Sequence, residues 1–500
     1  MKTLIALLLL IVAPYGLVLC AELCAEDSTR PRLEPPNRAP EYMASPRPSD
    51  GVNMALTVKK LMHGFDPPRP LLIWAIGSSF TEYQGNGDQL ISSIRQRFAN
   101  APRIVYKKMV GGSTPYHFLR GWAKHLVIPD QPDVVLIYNF GRTEELEKLI
   151  IELRTYTTAD IVVPTLHWCR PHADVWPDPE AQNRHQNLAG IREVCQLHGV
   201  EFVENRRELT QYMTANGLEI EDLLVDTVHQ SPYAAKMINL NIARHFHPAE
   251  RPAYDPRARE RRLEVEAPST ELSIAGDWMP AKGGRSLIAD DPDSSIQVRF
   301  TGKRIDLVGW QDPLGGSIDV WIDGKPACEA AVYYATYLQP AASNAVDPNS
   351  PLVDFRRLAS DRCPHGITLG GNIVPQKWTI TMTSDQGDYE LVGSTTNFDG
   401  KGNAFKSFTS QSGQIVVDPE LWRLAYTNSS GDQFTCNVHR SAQGRIDFKG
   451  SASGKFRTRL IENLPHGQHT LRLVARGDGP VTIDRFDIFE PPSKAAPTGG

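Results

Sequence analysis

Asp226 and His229 stand three residues apart in VDTVHQSPYAA, just before a segment with helical spacing, SPYAAKMINLNIARHF. A carboxylate and an imidazole on one turn can face a single site. There the carboxylate fixes the imidazole tautomer, and the imidazole takes a proton and returns it. The group that such a pair activates is a hydroxyl or thiol, and two serines, Ser78 and Ser79, follow the apolar run LLIWAIG. Either serine could equally cap the helix that begins there. Attack of a serine oxygen on a carbonyl builds negative charge on the carbonyl oxygen, so hydrogen-bond donors must converge on it. The available donors are the backbone N–H of the nucleophile and that of a glycine in VGGST (Gly111 or Gly112), where a missing Cβ permits close approach. A side chain beyond the run VVLIY, Asn139 or Arg142, would supply a third. This set of residues is suited to acyl transfer.

Residues so far apart need a fold to assemble them. Between 70 and 250 short, β-branched apolar runs (LLIWAIG, RIVYKKMV, PDVVLIYN, ADIVVPTL, VEFVEN) alternate with stretches of helical period such as GDQLISSIRQRF and TEELEKLIIELRTY. The pattern predicts a three-layer, doubly wound α/β domain, its parallel sheet covered by helices on both faces. In such a sheet ligands bind beyond the carboxyl ends of the strands. Each candidate named above either follows one of these runs or precedes the last helix.

In order and spacing these blocks resemble the SGNH hydrolases (GDSL-like esterases) over residues 70–247. Gly77-Ser78-Ser79 is similar to the family's first block, with serine in place of its aspartate. MVGGSTPYHFL is similar to the second, and DTVH to the last. The resemblance implies Ser79 as nucleophile, His229 as base, Asp226 as its orienting acid, and an oxyanion hole from Ser79 and Gly112. The third block departs from the family pattern: its Gly-x-Asn position falls near Arg142, and the asparagine available is Asn139. Either Asn139 or Arg142 completes the hole, or the hole has two donors.

HWCRPH places His167, Cys169 and His172 after the fourth strand. The spacing does not match a closed zinc site. His167 and Trp168 are instead expected to line the substrate pocket, stacking on a sugar face. No phosphate-binding glycine loop and no G-x-S-x-G elbow occurs, and no cofactor or metal is expected.

Past residue 270 helical periodicity disappears, and SIQVRFTG, RIDLVGW, GSIDVWIDGK, HTLRLVAR and VTIDRFDIFEP read as strands of a β-sandwich spanning 270–492. Several of these phrases resemble the jelly-roll modules of carbohydrate-active enzymes, which implies a glycan-binding role. Trp278, Trp310, Trp321, Trp378 and Trp422 are then either sugar-stacking or core residues. The middle of this half, 330–450, shows no clear strand pairs. Residues 251–269, with Arg257, Arg259, Arg261 and Arg262, read as a solvated linker, 26–69 as a proline-rich arm and 493–500 as a tail.

Residues 1–25 have the make-up of a secretory signal peptide: Lys2, an apolar run, then small residues. Export to a secreted, periplasmic or cell-surface location follows, with no stable membrane insertion after cleavage. Five cysteines would remain, Cys169, Cys195, Cys328, Cys363 and Cys436, and their pairing is not readable from sequence. A net charge of −5 gives no reason to expect nucleic acid as a partner. The chain is expected to be an exported serine esterase acting on an acetylated polysaccharide. A lipid esterase or O-acyltransferase with the same triad, and a glycan-binding protein that has lost catalysis, are the alternatives.

Overall fold

The structure is a computed structural model that describes residues 34–111, 114–138, 141–267, 269–281, 284–337, 352–354, 366–422 and 429–494. The apolar runs form β1 (Leu71–Gly77), β2 (Ile104–Val110), β3 (Val134–Tyr138), β4 (Asp160–Pro164) and β5 (Glu201–Val203). All pair in parallel, in the order β2-β1-β3-β4-β5. Alternate side chains of β1 serve opposite faces. Trp74 and Ile76 pack with the helices Thr143–Tyr156 and Gln186–Leu197, while Leu71, Ile73 and Ala75 pack with Ala55–His63, Asp88–Arg97 and Pro232–Arg244. This is the doubly wound α/β architecture expected from the sequence.

The chain winds from β1 to β2 and then returns to β1's other side at β3. The carboxyl ends diverge at that reversal and leave a crevice. The register sets Gly77 level with both Val110 and Tyr138. A sixth parallel strand, Leu352–Asp354, comes from far down the chain and pairs with β2, placing Leu352 opposite Tyr106 and Asp354 opposite Lys108.

The β-rich half contains two packed antiparallel sheets. One runs 325–326, 317–322, 468–475, 295–301, 272–275; the other runs 454–461, 304–311, 481–489, 287–289, 279–280. Their inner faces supply one core, including Ile296, Val298, Leu307, Ile318, Leu473 and Phe486. The described parts of 330–450, where the sequence pattern shows no clear pairs, form strands of their own. Tyr333–Tyr337, Gln433–Arg440, Lys377–Met382, Asp388–Gly393 and Asn397–Asn403 form a five-stranded antiparallel sheet, inserted between the sandwich strands in sequence. Its apolar face joins the α/β core: Tyr337, Trp378 and Trp422 belong to the same cluster as Trp74 and Trp122. Trp378 and Trp422 are therefore core residues, whereas Trp310 and Trp321 are exposed.

Residues 251–269 are more than a linker. Glu260–Glu264 is a strand paired with 485–489, and Arg259 is buried. The Arg259 guanidinium lies 3.5 Å over the Tyr254 ring and donates to Asp160 Oδ1 at 2.7 Å. Asp160 is fully buried, and its Oδ2 accepts from the Thr57 N–H and hydroxyl at 2.9 and 2.8 Å. Lys60, Asp133, Arg69 and Glu260 form a second charged cluster nearby. Cys169, Cys195, Cys328 and Cys436 are free thiols; Cys363, like residues 1–25, lies outside the described residues. Among the described residues no helix is long and apolar enough to cross a membrane.

Removing one partner of a buried ion pair leaves the other charge uncompensated. Arg259→Met should therefore lower the unfolding free energy by about 3 kcal/mol in denaturant titration. A change below about 1 kcal/mol would show that Asp160 is satisfied without its arginine.

Candidate active site

β1 ends at Gly77 because no larger residue fits. A Cβ there would stand 2.1 Å from Thr81 Oγ1 and 2.8 Å from the Tyr138 carbonyl oxygen. Ser78 follows in extended conformation, and its Oγ accepts the Phe80 N–H at 3.2 Å, capping the helix Ser79–Tyr83. The two serines thus divide: Ser78 caps the helix and is buried, whereas Ser79 is the first helical residue. An N–H at that position has no acceptor within the helix.

Ser79 Oγ lies 2.9 Å from His229 Nε2, and His229 Nδ1 lies 2.7 Å from Asp226 Oδ2. The other carboxylate oxygen, Oδ1, accepts the backbone N–H groups of Val228 and His229, both at 2.7 Å. One aspartate therefore shapes the turn and orients the ring that the turn carries. Burial alone would raise the pKa of Asp226. The hydrogen bonds from the His229 and Val228 amides and from the His229 ring outweigh it and hold the carboxyl below its ordinary value. A carboxylate facing Nδ1 keeps the proton there, so Nε2 presents a lone pair to the serine hydroxyl. That is the tautomer a general base requires. Tyr83 stacks on the imidazole, with centroids 4.3 Å apart and planes at 15°.

Both loops are held from beneath. The Gly77 carbonyl accepts from the Gly111 N–H at 3.1 Å and from His117 Nε2 at 3.0 Å. Gln230, fully buried, donates its amide to the Phe80 carbonyl at 2.7 Å, tying the His229 loop to the serine helix. The Arg170 N–H donates to the Thr227 carbonyl at 3.0 Å. The Val228 carbonyl accepts from His167 Nε2 at 2.6 Å and from Cys169 Sγ at 3.2 Å.

Ser79, Asp226 and His229 are thus brought together from two distant parts of the chain. Gly112 and Asn139 lie outside the described residues. The Gly111 N–H is engaged with the Gly77 carbonyl. Arg142 precedes the helix Thr143–Tyr156 and grips the buried Glu145 carboxylate through Nε, at 2.9 Å, and Nη2.

The expected sugar-stacking role of His167 and Trp168 does not survive. Each is only 2% exposed. Trp168 donates Nε1–H to Thr210 Oγ1 at 2.8 Å and is covered by the Arg206 guanidinium 4.4 Å from its ring. Both faces of the sheet are roofed by helices, so a side chain just past β4 can turn inward instead of into the crevice. Within HWCRPH, His172 Nδ1 accepts the Cys169 N–H at 3.1 Å. Among the described residues no group of three or more His, Cys, Asp or Glu side chains is arranged to hold a metal ion. An exposed aromatic ring does stack on the imidazole, Tyr83, 42% exposed, which sequence reasoning missed. Its signal was available: Tyr83 is four residues after Ser79, on the same helix face.

A scan of protein-family models and a search of curated protein sequences return no match. Solved structures give distant likenesses. A two-domain esterase active on acetylated mannans is 10% identical, with 88% of this chain and 95% of that chain covered and a TM-score of 0.32. An acetylxylan esterase from Geobacillus stearothermophilus is 16% identical over 36% of this chain and 94% of that one, with a TM-score of 0.30. Likeness at this level carries no chemistry, and the function has to come from the site itself.

Burial holds His117 and His167 down to a pKa of about 4 and His125 to about 3, so all three are neutral when folded. Once unfolded they titrate near 6.5. Between those values the unfolded chain binds more protons, so stability is fully present above about pH 6.5 and is lost as pH falls toward 4. Glu152, pushed up to about 7 by burial, acts in the opposite direction, while His172, held down to about 3 by burial, adds to the three. The melting temperature should therefore fall as pH is lowered from about 6.5 to 4. A flat or rising profile by calorimetry would contradict this assignment of neutral histidines.

Proposed function

We propose that the chain is a serine esterase. The observation that carries this reading is the unbroken relay Ser79 Oγ, His229 Nε2, His229 Nδ1, Asp226 Oδ2, with both distances below 3 Å, at the strand-order reversal. Ser79 Oγ adds to the ester carbonyl carbon while its proton passes to His229 Nε2. The Ser79 N–H, with Gly112 and Asn139 as the further donors inferred from sequence, would receive the oxyanion. The tetrahedral intermediate collapses, the bond to the leaving alcohol breaks, and His229 protonates that oxygen. Water then attacks the acyl-serine with His229 again as base, releasing the acid and restoring Ser79. Asp226 holds the imidazole in register and stabilises it while it is charged.

For substrate we infer an acetyl ester carried on a polysaccharide. The site is open: Asp226 presents 46% of its side chain, Tyr83 is 42% exposed and Val225 53%. An ester attached to a bulky polymer can reach a nucleophile at such a surface, and the exposed Tyr83 ring offers a flat face to a sugar. Export, inferred from residues 1–25, would put the enzyme where such polymers occur.

Ser79→Ala should abolish hydrolysis of 4-nitrophenyl acetate above background, and Asp226→Asn should reduce kcat by about 100- to 10,000-fold with the fold intact. Equal rates for Ser79→Ala and the parent would sink the esterase reading. If export is correct, amino-terminal sequencing of the secreted protein should begin near Glu26. An intact Met1 on the mature protein would argue against it.

A further inference from the structure

We propose that His167, locked by Tyr138, is a positioning residue that holds the base loop and so fixes the distance from His229 to Ser79. This rests on the reading of His229 as the base. The Val228 carbonyl can only accept, so His167 Nε2, 2.6 Å away, must carry the ring proton. Nδ1 then has a bare lone pair, and the Tyr138 hydroxyl 3.0 Å from it must donate. The same hydroxyl oxygen accepts the His167 backbone N–H at 3.1 Å. Every donor in this chain points one way: amide to phenol, phenol to Nδ1, Nε2 to the Val228 carbonyl. No other tautomer satisfies it.

Geometry makes the chain a gauge. Tyr138 is the last residue of β3, fully buried, and stands level with Gly77 across the β1–β3 pair. The strand end beside the nucleophile's turn is thus the reference from which Val228, next to the base, is set. Phe80 completes the link. Its ring meets His167 edge-on with centroids 5.2 Å apart and lies 5.4 Å from His229. The group holding the base, the base and the helix of the nucleophile therefore share one packing contact. An uncharged His167 keeps its lone pair for Tyr138 and adds no second charge beside the imidazolium that forms on His229.

Three variants of the full chain test this. His167→Leu removes the donor. His167→Gln can present an amide N–H near the original Nε2. Tyr138→Phe deletes one oxygen and leaves the packing in place. On 4-nitrophenyl acetate, kcat should fall about 10- to 100-fold in His167→Leu with KM within about twofold, because a base misplaced by a fraction of an ångström hinders proton transfer and leaves binding alone. His167→Gln should recover most of the loss, and Tyr138→Phe should lie between the parent and His167→Leu. Parent-like kcat in both His167→Leu and Tyr138→Phe would overturn the proposal. So would equal losses in His167→Leu and His167→Gln that follow their melting temperatures, since that marks a merely structural histidine. A second readout separates failure of this proposal from failure of the esterase reading. The NMR signals of the His229 ring should shift in Tyr138→Phe whether or not the parent turns over substrate, and unchanged signals would overturn the positioning role by themselves.

Discussion

The constraint from which the rest follows is the position of β1, paired in parallel on both sides and covered on both faces. A strand so enclosed has one freedom left, the direction in which the chain leaves it. The close approach of Gly77 to Thr81 and to the Tyr138 carbonyl removes that freedom as well. Ser79, first residue of the helix that starts one residue past β1, is therefore held by the rigid sheet rather than by a loop. His229 arrives on a turn, and turns ordinarily move. Here the turn is fastened at Thr227, Val228 and Gln230 by partners on two different segments, residues 167–170 and the helix Ser79–Tyr83.

How much of this was legible in the sequence depends on how local each feature is. Asp226 and His229 could be paired on paper because three residues of chain join them. Ser79 could be separated from Ser78 through the family resemblance, and the cap formed by Ser78 is a local bond of the kind short sequences encode. His167 was misread because its position past a strand was visible but its depth was not: burial depends on helices elsewhere in the chain. The inserted sheet escaped for a related reason. Tyr333–Tyr337 pairs with Gln433–Arg440, and no local alternation reports a partner that distant. The arginines at 257–262 suggested a solvated linker. Period-two alternation does not show that the residue just ahead of the strand, Arg259, is drawn inward by Asp160.

The two halves of the chain are less separable than a reading in consecutive domains implies. One apolar cluster runs from Trp74 through Trp122 to Trp378 and Trp422. The Tyr337 hydroxyl donates to the Arg120 carbonyl at 3.1 Å. Arg485, buried on a sandwich strand, reaches Asp66 ahead of β1 at 2.9 Å. Apolar area shared in this way stabilises both partners only while they stay together, so the α/β part inherits part of its stability from strands made much later in synthesis.

The strand Leu352–Asp354 has one more effect. A parallel sheet ends in rows of unpaired N–H and C=O groups, and a long flat edge is a template on which another chain can add itself. At one border of this sheet β2 is shielded by that borrowed strand; at the other the terminal strand, β5, is three residues long. The chain thus closes off its own growth points with a piece of its distal half, a safeguard against edge-to-edge aggregation.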